Sequence, residues 1–328
     1  MIKFLVIRFS SIGDIVLTTP IVRAIKTQIE DAEIHYFIKP QFKEVLSANP
    51  YIDKIICLEK NLSKQLKSMK LNHYDYIIDL HKNIRSNSVI RTLKTISFSF
   101  KKLNFEKWLL VNFNIDKLPE THIVDRYFQS LKVFDVVNDN KGLDYFIPRK
   151  DEINLSDLPA EFQNGYIAFA IGANHFTKRL PENKIVEIIK KADIPVIILG
   201  GSAEFETAEK IVRNLGKTVY NSCRKFNISQ SASIVKQAKL VITHDTGMMH
   251  IAAAFKKVII SVWGNTIPKF GMYPYFADKK SEIIEIEDLK CRPCSKIGFS
   301  RCPKNHFKCM NDINTDKIAK LAIDLFNS

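Results

Sequence analysis

The chain has 328 residues, 46% of them hydrophobic, a length that suggests about two domains and a composition ample for two cores. No run reaches the roughly 18 apolar residues that would cross a membrane, and the N-terminal segment with Lys3 and Arg8 has no cleavable signal pattern, so a cytoplasmic protein is expected. The formal net charge of +14 leaves three partner classes: nucleic acid, an anionic membrane surface, or a phosphorylated substrate.

From the N-terminus, short apolar, β-branched runs at residues 3–8, 33–38, 54–58, 74–80 and 95–100 read as buried strands. Helical patterns fill the gaps near residues 41–48 and 62–70, and one helix is expected to open at Ile15 and run to Gln28. Residues 96–113 interleave Phe98, Phe100, Phe105, Trp108 and Phe113 with lysines. That composition suits docking on an anionic leaflet; a buried helix with a lysine-rich outer face would produce it as well. Residues 138–164 are polar, contain Pro148 and Pro159 and keep no period, so the linker is placed there, between domains at 1–150 and 151–328. The second half repeats the scheme, with strands expected at 166–170, 195–200, 218–221, 240–243, 258–262 and 282–285. It closes with a helix at 315–326 whose Ile318, Leu321, Ala322 and Leu325 share one face. Such alternation predicts an α/β fold with a doubly wound layer in each half.

Two strand-to-helix junctions carry the chemistry. Residues 239–242 lead straight into Asp245-Thr246-Gly247, and an apolar helix begins at once with Met248-Met249-His250. The glycine lets backbone approach a ligand, and the free N–H groups of a first helical turn favour negative charge. Asp245 and Thr246 are also good N-cap residues, which would explain them without any ligand. At the N-terminus, Ser10-Ser11-Ile12-Gly13-Asp14 makes the corresponding turn after the first strand. It holds one glycine where the dinucleotide fingerprint needs three, which disfavours a plain dehydrogenase. One such junction in each half suggests two domains facing a cleft.

Arg8-Phe9-Ser10-Ser11-Ile12-Gly13-Asp14-Ile15-Val16-Leu17-Thr18-Thr19-Pro20 resembles the opening signature of glycosyltransferase family 9, the lipopolysaccharide heptosyltransferases. Thr177-Lys178-Arg179-Leu180-Pro181 and Asp245-Thr246-Gly247-Met248-Met249-His250 resemble that family's donor-site motifs, and Val262-Trp263-Gly264-Asn265-Thr266 its next strand-end turn. The four lie in the family's order along nearly the whole chain. The resemblance implies the GT-B fold, two doubly wound Rossmann-like domains facing a central cleft, with an N-terminal acceptor-binding and a C-terminal donor-binding domain. In that fold a C-terminal helix can cross back onto the first domain. Phe9 and Asn265 sit where many members are expected to carry other residues, which bears on donor specificity more than on fold.

The resemblance places the family's catalytic base at Asp14, a residue whose position near a helix start would equally serve the helix dipole. It assigns the donor diphosphate to Lys178, with Thr177 and the N–H groups around Thr246 and Gly247, and the donor ribose to Glu204, with Glu206 close by in sequence. Asp245 and His250 join the donor group, His250 being also readable as a buried core histidine. On the acceptor side stand Ser11, Gly13 and Arg85, the last in the family-like loop Asp79-Leu80-His81-Lys82-Asn83-Ile84-Arg85-Ser86 and able to grip an acidic group bidentately. Thr121-His122-Ile123-Val124-Asp125-Arg126-Tyr127 is a further family-like segment, read as shaping the domain.

Cys291, Cys294, Cys302 and Cys309 form a C-x2-C-x7-C-x6-C cluster with His306 between the last two. In a cytoplasmic protein this reads as a structural zinc site or as four unmetallated thiols, and the spacing leaves both open. The lysines are scattered and no nucleic-acid motif accompanies them, so no nucleic acid is expected. The sequence reading is therefore a bacterial inverting glycosyltransferase that needs no cofactor. Its donor is a nucleotide sugar, ADP-heptose first; its acceptor an anionic lipid-linked glycan of the lipopolysaccharide core, reached by peripheral contact with the inner membrane. The alternatives are the same fold using another nucleotide sugar for another surface glycan, and a nucleotide or nucleic-acid binding protein without transfer activity.

Overall fold

In the computed structural model, which describes residues 1–328, every expected strand forms within two residues of its expected ends. In chain order the first elements are β1 (Ile2–Ile7), α1 (Ile12–Val16), α2 (Thr19–Gln28), β2 (Ala32–Ile38), β3 (Lys54–Cys57), α3 (Leu62–Met69), β4 (Tyr76–Asp79), α4 (Ile84–Leu93), β5 (Ile96–Ser99), α5 (Asn104–Phe113) and α6 (Ile123–Phe128). They are followed by α7 (Ala160–Gln163), β6 (Ile167–Ala170), α8 (Glu182–Ala192), β7 (Val196–Leu199), α9 (Phe205–Leu215), β8 (Val219–Asn221), α10 (Ile228–Gln237), β9 (Leu240–His244), α11 (Gly247–Ala254), β10 (Ile259–Trp263), β11 (Glu282–Glu285), α12 (Lys308–Asn311) and α13 (Thr315–Phe326). Two compact units result. One comprises Met1–Lys102 and Thr121–Pro148; the other comprises Leu103–Glu120 and Arg149–Ser328.

The first unit is a five-stranded parallel sheet in the order β3-β2-β1-β4-β5. Strand order reverses between β1 and β4, and Ile7 pairs with Asp79 at their C-terminal ends. A crevice at such a reversal is where open α/β sheets bind ligands. The helix expected to run unbroken from Ile15 to Gln28 is instead two helices. Pro20 has no N–H to give the Val16 carbonyl, which accepts the Thr19 hydroxyl at 2.7 Å instead. The helix starts earlier too, so Gly13 and Asp14 lie within the first turn of α1 rather than ahead of it. The helix expected at 41–48 is a tighter 3-10 segment, Pro40–Leu46. On α2, buried Arg23 donates to Asp139 at 2.8 Å and to the Gly142 carbonyl at 2.8 Å, and pairs with Asp144. This ties the polar stretch after α6 to the sheet's covering helix.

The second unit is a six-stranded parallel sheet, β11-β10-β9-β6-β7-β8, reversing between β6 and β9. Its four central strands, β10, β9, β6 and β7, are buried on both faces, as their unbroken apolar runs require. α8 buries Ile185, Ile188, Ile189 and Ala192, the helical repeat of one apolar stripe, and stops where Asp193 turns left-handed with φ 50°. α13 is built into this same unit: Ile318, Ala319 and Ala322 enter its core. The stretch read as an aperiodic linker holds three short helical segments, Arg149–Asp151, Leu155–Asp157 and α7. α5 also packs in this unit, its Leu110 joining the flanking Leu103 and Leu118 against Phe270.

Candidate active site

At the reversal point of the first sheet, Asp14 is fully engaged. One carboxylate oxygen lies 2.5 Å from the Arg8 guanidinium. The other accepts from the Ser11 backbone N–H at 3.1 Å and the Ser11 hydroxyl at 2.8 Å. Burial opposes its ionisation, but Arg8 and the two Ser11 donors prevail and hold Asp14 below the ordinary carboxylate range. Arg8 is itself fixed: it donates to the Ser10 carbonyl at 2.8 Å, the Leu80 carbonyl at 2.6 Å and the Tyr127 hydroxyl at 3.2 Å. Around this pair lie His81, edge-on to Phe9 at 5.1 Å between ring centroids, and the exposed Arg85, 5.9 Å from the centre of the same ring. Burial and the Arg8 charge push His81 down to about 4, so it is a neutral ring at working pH. Asp79 is buried and committed to the loop, accepting from the Ser86 hydroxyl at 2.6 Å and from the His81 and Lys82 N–H groups.

At the reversal point of the second sheet, Lys178 lies 2.5 Å from Asp245, and Asp245 also accepts from the Thr266 hydroxyl at 2.8 Å. β9, β10 and the loop before α8 are thereby tied at one carboxylate. Thr246 and Gly247 open α11, whose first residues are partly exposed while its later ones, His250 included, are buried. Glu204 turns inward, accepting from the Gly201 N–H at 2.9 Å with the Arg179 guanidinium at 3.3 Å, whereas Glu206 is exposed. This separates the two glutamates that sequence left adjacent. Gly172 is what admits that carboxylate: a Cβ there would stand 3.0 Å from Glu204 Cδ. Thr177 is buried, its hydroxyl accepting from the Phe299 N–H at 2.9 Å, so what it offers is a staple for the loop that carries Lys178.

Three features escaped the sequence reading. Arg8 was an interruption in a strand and proves to be Asp14's counter-charge. Thr266 and Arg292 hold the turn after β10: Arg292 donates to the Gly264 carbonyl at 2.5 Å, the Thr266 carbonyl at 2.7 Å and the Ile286 carbonyl at 2.9 Å, and pairs with Glu285. The cysteine-rich segment thus reaches the site through an arginine. Cys291, Cys294, Cys302 and Cys309 line one cavity of about 10 Å³ with His306, and the Cys291 sulfur is 3.7 Å from His306 Nε2. No three His, Cys, Asp or Glu side chains converge as the ligands of a metal ion. Burial pushes the Cys294 thiol up to about 11 and the Cys309 thiol up to about 12.

The profile of glycosyltransferase family 9 (heptosyltransferase) matches residues 62–302, well over half of the chain. The chain belongs to glycosyltransferase family 9. It is 26% identical to the lipopolysaccharide heptosyltransferase 1 of Campylobacter coli across 99% of both chains. The E. coli ADP-heptose lps heptosyltransferase II shares its fold with a TM-score of 0.78 over 99% of both chains, at 19% identity. The E. coli heptosyltransferase WaaC with ADP gives 0.69 over 99% of this chain and all of that one, at 18% identity. This family-9 glycosyltransferase accordingly has the GT-B fold, with a Rossmann-like parallel sheet in each unit.

One glycine of the family-9 enzyme gives a direct test of how tightly the turn after β10 is packed. A Cβ at Gly264 would fall 2.5 Å from the Thr177 carbonyl oxygen, which is backbone and cannot swing aside. Gly264→Ala is expected to destabilise the protein by roughly 1–3 kcal/mol. Calorimetry should register this as a fall in Tm of about 2–4 °C per kcal/mol, and an unchanged Tm would show that the turn gives way.

Proposed function

We propose that this enzyme transfers heptose from ADP-heptose, with inversion, to an anionic lipid-linked acceptor of the lipopolysaccharide core. The observation that carries the proposal is the pairing of roles at the two reversal points. One presents an ionised carboxylate, Asp14; the other presents a lysine, Lys178, beside the N-terminus of an apolar helix, α11. The first suits an acceptor hydroxyl and the second a nucleoside diphosphate.

In this reading the acceptor oxygen attacks the anomeric carbon from the face opposite ADP. The new C–O bond forms as the bond to the β-phosphate oxygen breaks, and ADP leaves with the electron pair. The hydroxyl proton passes to Asp14. Charge growing on the departing diphosphate is met by Lys178 and by the N–H groups at Thr246 and Gly247. These supply what a divalent cation would otherwise supply, so turnover is expected to withstand a chelator. Glu204 is suited to two ribose hydroxyls, with Arg179 and the Gly201 N–H holding it in place. Asp245 fixes Lys178, Thr177 holds the Lys178 loop, and buried His250 supports α11. Ser11 and Gly13 shape the turn that presents Asp14 to the acceptor, and Arg85 takes an acidic group of that acceptor. The protein would work at the cytoplasmic face of the inner membrane, with residues 1–150 serving the acceptor and 151–328 the donor.

Thermal stabilisation by ADP, GDP, UDP and CMP, each at one saturating concentration, tests the donor. A ligand at about a hundred times its Kd stabilises the fold by roughly 2.7 kcal/mol. A shift with ADP alone is expected. A shift with another nucleotide would keep the transferase and discard ADP-heptose.

A further inference from the structure

α5 is apolar on two sides, and a surface helix needs only one. Its inner side is satisfied by Leu110 and Val111, which pack with the flanking Leu103 and Leu118 against Phe270. The opposite side carries Phe105, Trp108 and Phe113, exposed by 64%, 45% and 58%, followed by Ile115 at 46%. The rings form one cluster rather than a scatter: Phe105 stacks on Trp108 at 6.0 Å, and Trp108 meets Phe113 edge-on at 5.2 Å. A contiguous exposed aromatic patch marks a contact surface.

Charge selects the partner. Exposed Lys101 precedes α5 and exposed Lys117 follows it, whereas Lys107 turns inward over the Phe270 ring at 5.2 Å; of the acids in the segment, Asp116 is paired with Lys269, and Glu106 and Glu120 are the others. The whole chain carries +14, so a second copy approaching through this face is repelled and an anionic surface is attracted. Aromatic rings with lysines at their margin are the composition of an interfacial anchor: rings at the depth of the headgroups, ammonium groups on the phosphates. The sequence reading offered a leaflet-docking stretch or a buried helix with a lysine-rich outer face; the exposed rings settle the orientation of α5. We infer that the outer face of α5, through Phe105, Trp108 and Phe113, is the element that seats this protein on an anionic lipid bilayer. Its use rests on the proposed lipid-linked acceptor, though the patch itself does not.

The chain carries its own reporter. It has two tryptophans, and Trp263 is only 1% exposed, so a change of emission on binding reports Trp108. The full chain is mixed with vesicles of phosphatidylethanolamine containing one-quarter phosphatidylglycerol, with phosphatidylcholine vesicles as the control. Cosedimentation with the anionic vesicles, a blue shift of emission and quenching by brominated acyl chains are expected, and Trp108→Phe should remove the spectral change. The double variant Phe105→Ser/Phe113→Ser should weaken partitioning by roughly a hundredfold or more, because two rings no longer leave water. Both sites are on the surface, so its Tm should match the parent's. Absence of binding, or binding that leaves Trp108 emission unmoved, overturns the inference. So does a blue shift that follows protein concentration without vesicles, which would mark a self-contact. Turnover on a delipidated, water-soluble acceptor keeps the two readings apart. The double variant should match the parent there, and a parent that binds vesicles yet transfers nothing would sink the enzyme reading alone.

Discussion

Replacing Asp14 by asparagine is expected to lower turnover roughly 10²- to 10⁴-fold, the usual contribution of a positioned base, while ADP still binds. The reason lies in how the carboxylate is held. Arg8 and Ser11 keep it ionised against the opposing effect of burial. A carboxylate held below its ordinary range is a weak base toward a free alcohol. It becomes an adequate one late in the transfer, when the acceptor oxygen is already bonding to the anomeric carbon and its proton has become acidic. The pH dependence follows with a definite sign. Asp14 is depressed, so its working form and its contribution to stability are complete above the ordinary aspartate value near 4. Both are lost only as pH falls through the lower folded value. The acid limb of kcat/KM should therefore lie below pH ~4. Arg8→Gln removes the counter-charge and leaves only the two Ser11 donors against burial, so that limb should move to higher pH in whatever protein still folds. A merely structural arginine would lower Tm and leave the limb where it was.

Much of this was legible because parallel sheets write themselves plainly in sequence. Each strand is a short, β-branched, apolar run closed by a polar turn, and each ended near where its run ended. The turns at Ser10–Asp14 and at Asp245–Gly247 were legible for a related reason. They interrupt apolar periodicity with small and acidic residues at the C-terminal end of a strand, and the topology places both at a reversal of strand order. What stayed hidden was long-range. Arg8 meets Tyr127, 119 residues later, and Arg292 reaches back to Gly264 and Thr266. No local pattern marks such a pairing, because an arginine's partners lie wherever the fold brings carbonyls and carboxylates together. α5 shows another limit. Its composition revealed amphipathic character, but a helix with apolar residues on both sides does not say which side is buried. Packing against Phe270, far along the chain, made that choice.

Lys178→Ala carries the second large expectation: a fall in kcat of roughly 10²–10³, the cost of removing one preorganised group from a developing charge, with a smaller change in ADP affinity. The argument turns on Asp245. In the protein as it stands, Lys178 and Asp245 form a close, half-buried pair, and Thr266 donates to the same carboxylate. Asp245 thus fixes the direction of the ammonium group, whose remaining donors can serve a diphosphate. Ground-state ADP can also lean on the α11 N-terminus, which leaves the lysine's larger share for the charge that grows as the glycosidic bond breaks. Lys178→Arg should recover little, because a planar fork held by Asp245 cannot take the place of a compact point charge. Asp245→Asn keeps an acceptor for Thr266 and releases the lysine, so it should raise KM for the donor more than it lowers kcat. The competing account makes Lys178 only the counter-ion of a buried acid. On that account Lys178→Ala lowers Tm and leaves the kcat of the folded fraction intact, whereas Asp245→Asn is harmless. Steady-state kinetics on the three variants, each corrected for its folded fraction, decides between an ammonium that meets the leaving group and one that only holds the turn together.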